Sequence, residues 1–193
     1  MFLGVTGASG APYAAGILRA LVDSGAEVGV CASAAGVEVL ATELYGDATL
    51  GRDEVLGRFA GDGDDHVTVY AIDDWKSPYA SGSAKVDAYV VCPCSMSTVG
   101  TLAAGAMTNL VHRAASVALK ERRKLVLVPR ETPLSSIHLR GLATLHEAGA
   151  VILFAAPGFY HAPQSVGDLV DFVVARCLDQ LGIDNTLVRR WGS

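Results

Sequence analysis

The chain has 193 residues, of which 51% are hydrophobic and 18% charged, and its formal net charge is −5 at pH 7. A chain of this size and hydrophobic content is expected to form one domain with a full core, spanning residues 1–193. The negative net charge gives no support for a nucleic-acid partner, and no run of about 18 apolar residues predicts a membrane span. The N-terminus lacks the basic segment of a signal peptide, so a cytoplasmic location is expected.

Apolar runs alternate with amphipathic stretches along the whole chain. The apolar runs predict strands at residues 2–6, 27–32, 67–71, 88–92, 125–129 and 151–154. The amphipathic stretches predict helices at residues 11–24, 34–44, 95–104, 109–121, 135–148 and 166–181. Strands that are apolar throughout and alternate with helices favour a buried parallel sheet covered on both faces. We therefore expect a three-layer α/β/α fold with a doubly wound parallel sheet, of the flavodoxin-like or Rossmann-like kind.

Two segments and the cysteines lie outside this pattern. Residues 46–66 are rich in Gly and Asp, and we expect them to form a mobile surface insertion. The tail at residues 184–193 carries Arg189, Arg190 and Trp191, which are expected to dock onto another element. The cysteines at positions 31, 92, 94 and 177 form no C-x-x-C pair, so we expect buried thiols and no zinc site.

The loop at residues 4–13, which follows the first predicted strand, contains Gly4, Gly7 and Gly10. Glycines let the backbone approach a phosphate, and the N-terminus of the next helix supplies N–H donors. The dinucleotide pattern G-x-G-x-x-G is not met, because Ala8 follows Gly7. Ser33 also stands where a dinucleotide site usually has an acidic residue. The sequence therefore favours a mononucleotide such as FMN over NAD; a glycine turn without ligand is the alternative.

The loops after the later strands carry the other unusual residues of the chain. Ligands of an open parallel sheet bind outside the carboxyl ends of its strands, so these loops are expected to converge. Ser95, Ser97 and Thr98 begin a predicted helix, where hydroxyls either cap the helix or bind a phosphate or flavin edge. Arg130 suits a phosphate or flavin carbonyl. Glu131 suits a proton carrier, with a structural ion pair between the two residues as the alternative.

The last of these loops, at residues 155–163, carries Tyr160 and His161. The tyrosine hydroxyl can donate to a phosphate, whereas a structural role is the commoner one for an isolated histidine. Two hydrolase patterns are excluded. His146-Glu147 lacks the second histidine of a zinc-protease helix, and no G-x-S-x-G nucleophile elbow occurs.

Together these motifs resemble those of the UbiX-type flavin prenyltransferases, formerly described as aromatic acid decarboxylases. The resemblance covers essentially the whole chain, and its most specific elements lie at residues 119–123, 130–133 and 158–165. It implies a homo-oligomer, commonly a dodecamer, that binds FMN and uses no metal. The implied reaction joins a dimethylallyl group, from dimethylallyl phosphate or pyrophosphate, to N5 and C6 of reduced FMN. The product, prenylated FMN, is passed to UbiD-type decarboxylases.

By matched position, the resemblance implies three sets of functional residues. The FMN-binding set is Gly7, Ala8, Ser9, Ser33, Ser95, Met96, Ser97, Thr98 and Arg130. The set around the prenyl phosphate, partly across a subunit boundary, is Arg113, Lys120, Tyr160 and Arg176. Glu43 and Glu131 are the acid/base carboxylates, and Lys120 and Tyr160 are also counted as catalytic. Trp191, and less closely Trp75, match the apolar wall over the prenyl group.

The chain departs from the family pattern at two positions. Ser97 stands where many members have lysine, and Ser116 where the family often has aspartate. Two other functions compete with the prenyltransferase. A flavin-dependent cysteine decarboxylase needs a Pro-x-Met-Asn loop, which residues 106–109 match poorly. The other is a non-catalytic flavin carrier or decarboxylase subunit, although a carrier has no need for the cations and carboxylates named above.

Overall fold

The computed structural model describes residues 1–61, 63–190 and 192. Its strands are β1 Phe2–Val5, β2 Val28–Ala32, β3 Val67–Val69, β4 Ala88–Cys94, β5 Lys124–Pro129 and β6 Val151–Ile152. Its α-helices are α1 Ala11–Asp23, α2 Ala34–Tyr45, α3 Arg52–Ala60, α4 Met96–Ala103, α5 Leu110–Lys120, α6 Ser136–Glu147 and α7 Val166–Leu181. A short 3₁₀ helix lies at Pro78–Ala80.

The strands form one parallel sheet in the order β3-β2-β1-β4-β5-β6. This confirms the predicted doubly wound sheet, whose ligand crevice lies where the strand order reverses, between the carboxyl ends of β1 and β4. Thr6 ties the loops on the two sides of that crevice together. Its amide and its hydroxyl both donate to the carbonyl of Pro93, at 3.1 and 2.9 Å. Its Oγ1 also accepts from the amide of Ser95 at 2.8 Å.

The two faces of the sheet carry separate apolar cores because successive side chains of a strand point to opposite sides. Leu3 and Val5 of β1 belong to the core that α1, α2, α3 and α7 cover. Phe2 of the same strand belongs to the core that α4, α5 and α6 cover. The result is the expected three-layer arrangement. Both cores lie beneath the crevice, so its loops rest on fully packed elements.

The expectation of a mobile insertion at residues 46–66 is wrong for its central part, which forms α3. Val55, Leu56 and Phe59 share one face of this helix and are buried in the core. Asp53 and Glu54 favour the start of the helix through its dipole. Gly61, at φ 88°, ends it in the left-handed conformation. This apolar face is short and is surrounded by Gly and Asp residues, so the sequence pattern did not predict the helix.

The other predicted elements agree with the structure to within two residues at each end. All four cysteines are free and buried, as predicted. Within residues 1–61, 63–190 and 192, no helix combines the length and hydrophobicity that a membrane span requires. The described part of the tail docks as expected, because Arg190 donates to Asp179 of α7 at 2.8 Å.

Gly29 in β2 provides a test of the packing under the crevice. A Cβ added there would lie 2.1 Å from Cε2 of Tyr79. The ring of Tyr79 is held between Phe2 and Tyr70, at centroid distances of 4.9 and 5.3 Å, so it has no room to move. We expect Gly29→Ala to lower the free energy of unfolding by about 1–3 kcal/mol in urea titrations.

The matched control for this substitution is Gly100→Ala in α4. Nothing lies within 4 Å of a Cβ added at Gly100. Because alanine favours helix over glycine, this variant should be neutral or more stable by up to about 1 kcal/mol. Equal losses of stability in the two variants would contradict the steric explanation.

Candidate active site

The carboxylate of Glu43, at the end of α2, lies against the N-terminus of α1. Its Oε2 accepts the N–H groups of Gly10 at 2.9 Å and Ala11 at 2.8 Å. Gly10 presents its N–H from a φ of 136°, which side chains other than that of glycine rarely allow. The donors that the sequence offers to a nucleotide phosphate are therefore taken by the chain's own carboxylate. The amides of Gly10 and Ala11 are thus not open to a phosphate in this structure, and binding of FMN by Gly7, Ala8 and Ser9 stays a prediction.

The environment of Glu43 determines its charge. Partial burial of the carboxylate works to raise its pKa. Hydrogen bonds from the Ser9 hydroxyl and from the two amides lower it, and so does the charge of Arg130. The resulting pKa lies below the ordinary value of 4.5. Glu43 is therefore ionised at neutral pH, and in this state it can accept a proton through Ser9.

Arg130 and Glu131 follow β5 and reach the same corner of the sheet. The Nε of Arg130 donates to the backbone carbonyl of Ser9 at 3.4 Å. The side chain of Glu131 accepts the amide of Thr132 at 3.1 Å. In the part of the chain that the structure describes, no ion pair joins Arg130 to Glu131, which weakens the purely structural alternative for this loop. Ser9 and Arg130 thus meet at this corner, where Glu43 of α2 also binds the start of α1, and Glu131 follows Arg130 in the chain.

The three hydroxyls at the start of α4 have different roles. Ser95 caps the helix by accepting the amide of Thr98 at 3.3 Å, and the two hydroxyls lie 3.1 Å apart. The side chains of Met96 and Thr98 are buried, at 8% and 3% exposure. Ser97 is exposed. Among the described residues, no acceptor meets the amides of Met96 and Ser97. The N-terminus of α4 therefore retains the anion-binding donors that α1 lacks.

Gly7 and Ser33 set the position of α2, and hence of Glu43. A Cβ on Gly7 would lie 2.5 Å from the Cβ of Ala35, so glycine here lets α2 begin against the first loop. Ser33 caps α2 by accepting the amide of Gly36 at 3.0 Å. The sequence interpretation missed Arg52, whose guanidinium donates to the carbonyl of Ala32 at 3.0 Å and holds the end of β2. No local sequence signal points to that contact, because it joins α3 to a strand 20 residues away.

Arg113 and Lys120 lie away from this corner. Arg113 Nε donates to the carbonyl of Ala80 at 2.8 Å, and Lys120 pairs with the neighbouring Glu121. Helix α5 starts near the carboxyl end of β3, where Leu110 N donates to Ile72 O, and it ends just before β5 begins. Lys120 is therefore at the amino end of the sheet. One chain alone does not bring Lys120 to Glu43.

Tyr160 and Arg176 lie apart from both the corner and α5, beside the edge strand β6. Tyr160 is 66% exposed and packs edge-to-face on Phe172 at 5.8 Å. Arg176 is exposed on α7 and donates to Asp179 at 2.6 Å. His161 stacks on Phe172 at 5.3 Å, and among the described residues its two buried ring nitrogens have no hydrogen-bond partner. Among the candidates for the apolar wall, Trp75 is 50% exposed, whereas Trp191 lies outside the described residues.

The candidate site thus consists of one assembled corner and two outlying groups. The corner comprises Gly7, Ala8, Ser9, Ser33, Glu43, Ser95, Met96, Ser97, Thr98, Arg130 and Glu131. The outlying groups are Arg113 with Lys120, and Tyr160 with Arg176. Across the residues that the structure describes, no three His, Cys, Asp or Glu side chains are grouped as a metal site requires.

This sheet order and the polar corner at its reversal point define an α/β protein with a nucleotide-type crevice. The family model described as Flavoprotein matches residues 1–178. The flavin prenyltransferase UbiX of Pseudomonas aeruginosa is 51% identical, over 98% of this chain and 92% of that protein. The chain therefore belongs to the flavoprotein family and, within it, to the UbiX flavin prenyltransferases.

Solved structures agree with that assignment. The crystal structure of AnUbiX (PadA1) in complex with FMN and dimethylallyl pyrophosphate has a TM-score of 0.88 and 36% identity, covering 100% of this chain and 96% of the other. The dodecameric FMN-dependent UbiX-like decarboxylase from Escherichia coli O157:H7 has a TM-score of 0.85 and 38% identity, with 100% of both chains covered. The FMN-dependent cysteine decarboxylase TvaF is only 19% identical at a TM-score of 0.58, covering 94% of this chain and 96% of the other, which shows a shared fold alone.

Glu43→Gln tests the contact with α1. The variant loses the charge at the helix N-terminus, so its free energy of unfolding at neutral pH should fall by about 1 kcal/mol. Because the folded pKa is below 4.5, this stabilisation is present above pH 4.5 and is lost as the pH falls through the folded pKa. Urea titrations at neutral and acid pH measure the difference.

The control for Glu43→Gln is Glu38→Gln, an exposed change on the same helix. It should leave stability unchanged at both pH values. If the deficit of Glu43→Gln were as large in acid as at neutral pH, the carboxylate charge would not be its cause.

Proposed function

We propose that this chain is a flavin prenyltransferase that joins a dimethylallyl group to N5 and C6 of reduced FMN. The observation that carries the proposal is the corner in which Arg130 donates to the Ser9 carbonyl and Glu43 binds the start of α1, with Glu131 next to Arg130 in the chain. A flavin carrier needs only to bind its ligand. Two carboxylates and a fixed guanidinium at the crevice are what a reaction with proton transfer and anionic groups requires.

The residues of the crevice fit FMN. The amides of Met96 and Ser97, with the exposed Ser97 hydroxyl, offer donors to its phosphate at a helix N-terminus. A lysine at position 97 is not needed for this, because the donors are backbone groups. We assign Ser9, Ser33 and Arg130 to the polar edge of the ring. FMN supplies the nucleophilic N5 and C6 atoms.

The chain's own groups supply position and charge. The allylic C–O bond breaks and the phosphate leaves with the bonding electron pair, so fixed cations stabilise the charge that develops on it. N5 would bond to the allyl carbon that carried the phosphate and lose its proton. The remaining C=C would take up a proton, the tertiary carbon so formed would bond to C6, and C6 would then lose its proton. Glu131 is the carboxylate we assign to that proton. Ionised Glu43 holds Ser9 through its hydroxyl, so this pair can move a proton at Ser9 Oγ.

The outlying groups complete the site in a homo-oligomer. Arg113 and Lys120 on α5, and Tyr160 and Arg176 beside β6, are cationic or hydrogen-bonding groups suited to a prenyl phosphate. They lie on surfaces that a neighbouring subunit can place against the crevice. We propose a dodecamer, the assembly described for the E. coli structure. The proposal extends to a cytoplasmic location and to a UbiD-type decarboxylase as acceptor of the product.

Incubation with reduced FMN and either prenyl donor tests the proposed function. The extracted flavin should be heavier by one isoprene unit, and phosphate or pyrophosphate should be released in equal amount. An unchanged flavin with both donors would overturn the proposal. Release of carbon dioxide from a cysteinyl substrate would instead identify a cysteine decarboxylase.

Glu131→Gln tests the proton acceptor. The variant should bind FMN as tightly as the native protein, because the amide keeps the size of the side chain. Product formation in single-turnover assays should fall by about a hundredfold or more. Glu147→Gln, an exposed change on α6, is the control and should have native rates. A native rate in Glu131→Gln would remove this residue from the chemistry.

Mixing two inactive variants tests whether subunits share a site. Lys120→Ala and Arg130→Ala should each abolish most turnover alone. In oligomers that contain both chains, some sites take Lys120 from one subunit and Arg130 from another, so activity should return. Oligomers of the double variant serve as the baseline. If the mixed oligomers show no recovery above that baseline, Lys120 acts within its own chain or not at all.

A further inference from the structure

Asp179, near the C-terminus of α7, holds side chains from two parts of the chain. Its carboxylate accepts Nη1 of Arg176 at 2.6 Å and Nη1 of Arg190 at 2.7 Å. Nδ2 of Asn185 donates to the same carboxylate at 3.3 Å. The Asp179 side chain is only 15% exposed, whereas the two arginines are 50% and 53% exposed. One carboxylate thus links helix α7 to the tail.

The helix alone does not favour an aspartate at this position. Asp179 lies in the last turn of α7, where a negative charge opposes the helix dipole. The order of the pair, with Arg176 three residues before Asp179, is also the weaker one along a helix. Three donors on one poorly exposed carboxylate offset this local cost. The contacts made by Asp179 therefore explain its presence better than helix formation does.

The contact leaves Arg176 available for a ligand. Only Nη1 of its guanidinium meets Asp179, and in the described structure no protein acceptor meets Nε or Nη2. Those two nitrogens are the edge of a guanidinium that binds a phosphate through two parallel hydrogen bonds. A flexible arginine would lose more rotamer freedom when it binds than one already held at Nη1.

We propose that Asp179 is a positioning residue that fixes Arg176 for the phosphate of the prenyl donor and ties the tail to the same point through Arg190. The inference rests on the proposed function, because Arg176 is taken to hold that phosphate. Asp179 itself does not touch the donor. It orients the guanidinium of Arg176. Through Asn185 and Arg190 it also holds residues 183–190 in place, so the ordering of this segment is linked to the orientation of Arg176.

Asp179→Asn and Asp179→Glu separate a charge effect from a packing effect. Asparagine keeps the shape and removes the charge, so the KM and Kd for dimethylallyl phosphate should rise roughly ten- to hundredfold, with kcat changed less. Affinity for FMN should stay native. Glutamate keeps the charge, so it should restore much of the donor affinity despite its extra methylene. Hydrogen exchange of residues 183–190 should be faster in Asp179→Asn than in the native protein.

Asp171→Asn, on the same helix and with no hydrogen-bond or ion-pair partner among residues 1–61, 63–190 and 192, is the matched control and should be native in every readout. Arg190→Gln should raise hydrogen exchange in the tail while leaving the Arg176 contact in place. Native donor affinity in Asp179→Asn, tighter binding, or a larger loss in Asp179→Glu than in Asp179→Asn would overturn the proposal. These comparisons require that the native protein prenylates FMN. If the native protein does not, the proposed function is wrong, and that result does not depend on the Asp179 variants.

Discussion

The carboxylate of Glu43 on the N-terminus of α1 is the contact from which the rest of the site follows. It joins the last turn of α2 to the first turn of α1, through the amides of Gly10 and Ala11. It requires Gly10 at a positive φ and Gly7 without a side chain, so that α2 can lie close to the first loop. With that contact made, the Ser9 hydroxyl helps to lower the pKa of the carboxylate, and the Ser9 carbonyl accepts a hydrogen bond from Arg130.

As a consequence, the N-termini of α1 and α4, which lie at the same crevice, differ in the anion that each can bind. A helix N-terminus attracts anions through its free amides and its dipole. At α1 that anion is an internal carboxylate, so the helix end holds a proton acceptor in its ionised form. At α4 the amides of Met96 and Ser97 meet no acceptor among the described residues, and in the proposed site they bind the FMN phosphate. In the proposed site, the N-terminus of α1 therefore holds the base and the N-terminus of α4 holds the phosphate.

Periodicity predicted the sheet and six of the helices because their apolar faces are long enough to stand out. It failed at α3, whose face of Val55, Leu56 and Phe59 is short and surrounded by Gly and Asp. The glycines of the first loop predicted free amides at the start of α1, whereas the structure places the Glu43 carboxylate on two of them. Glu43 lies 33 residues from Gly10, and no local pattern records a contact over that separation. Likewise, the resemblance to the family predicted which residues form the candidate site. The fold was needed to show which of these residues lie close together within one chain.

The distribution of cations over three surfaces of the chain has an electrostatic explanation. Arg113, Lys120, Arg130 and Arg176 would repel one another if a single subunit held them around an empty crevice. In the chain as described, each of three outlying cations instead has a local acceptor: a carbonyl for Arg113, Glu121 for Lys120 and Asp179 for Arg176. In the proposed assembly these groups meet at subunit boundaries, where a bound phosphate balances their charge. Flavin binding can then rest on one chain, while recognition of the prenyl donor depends on its neighbours.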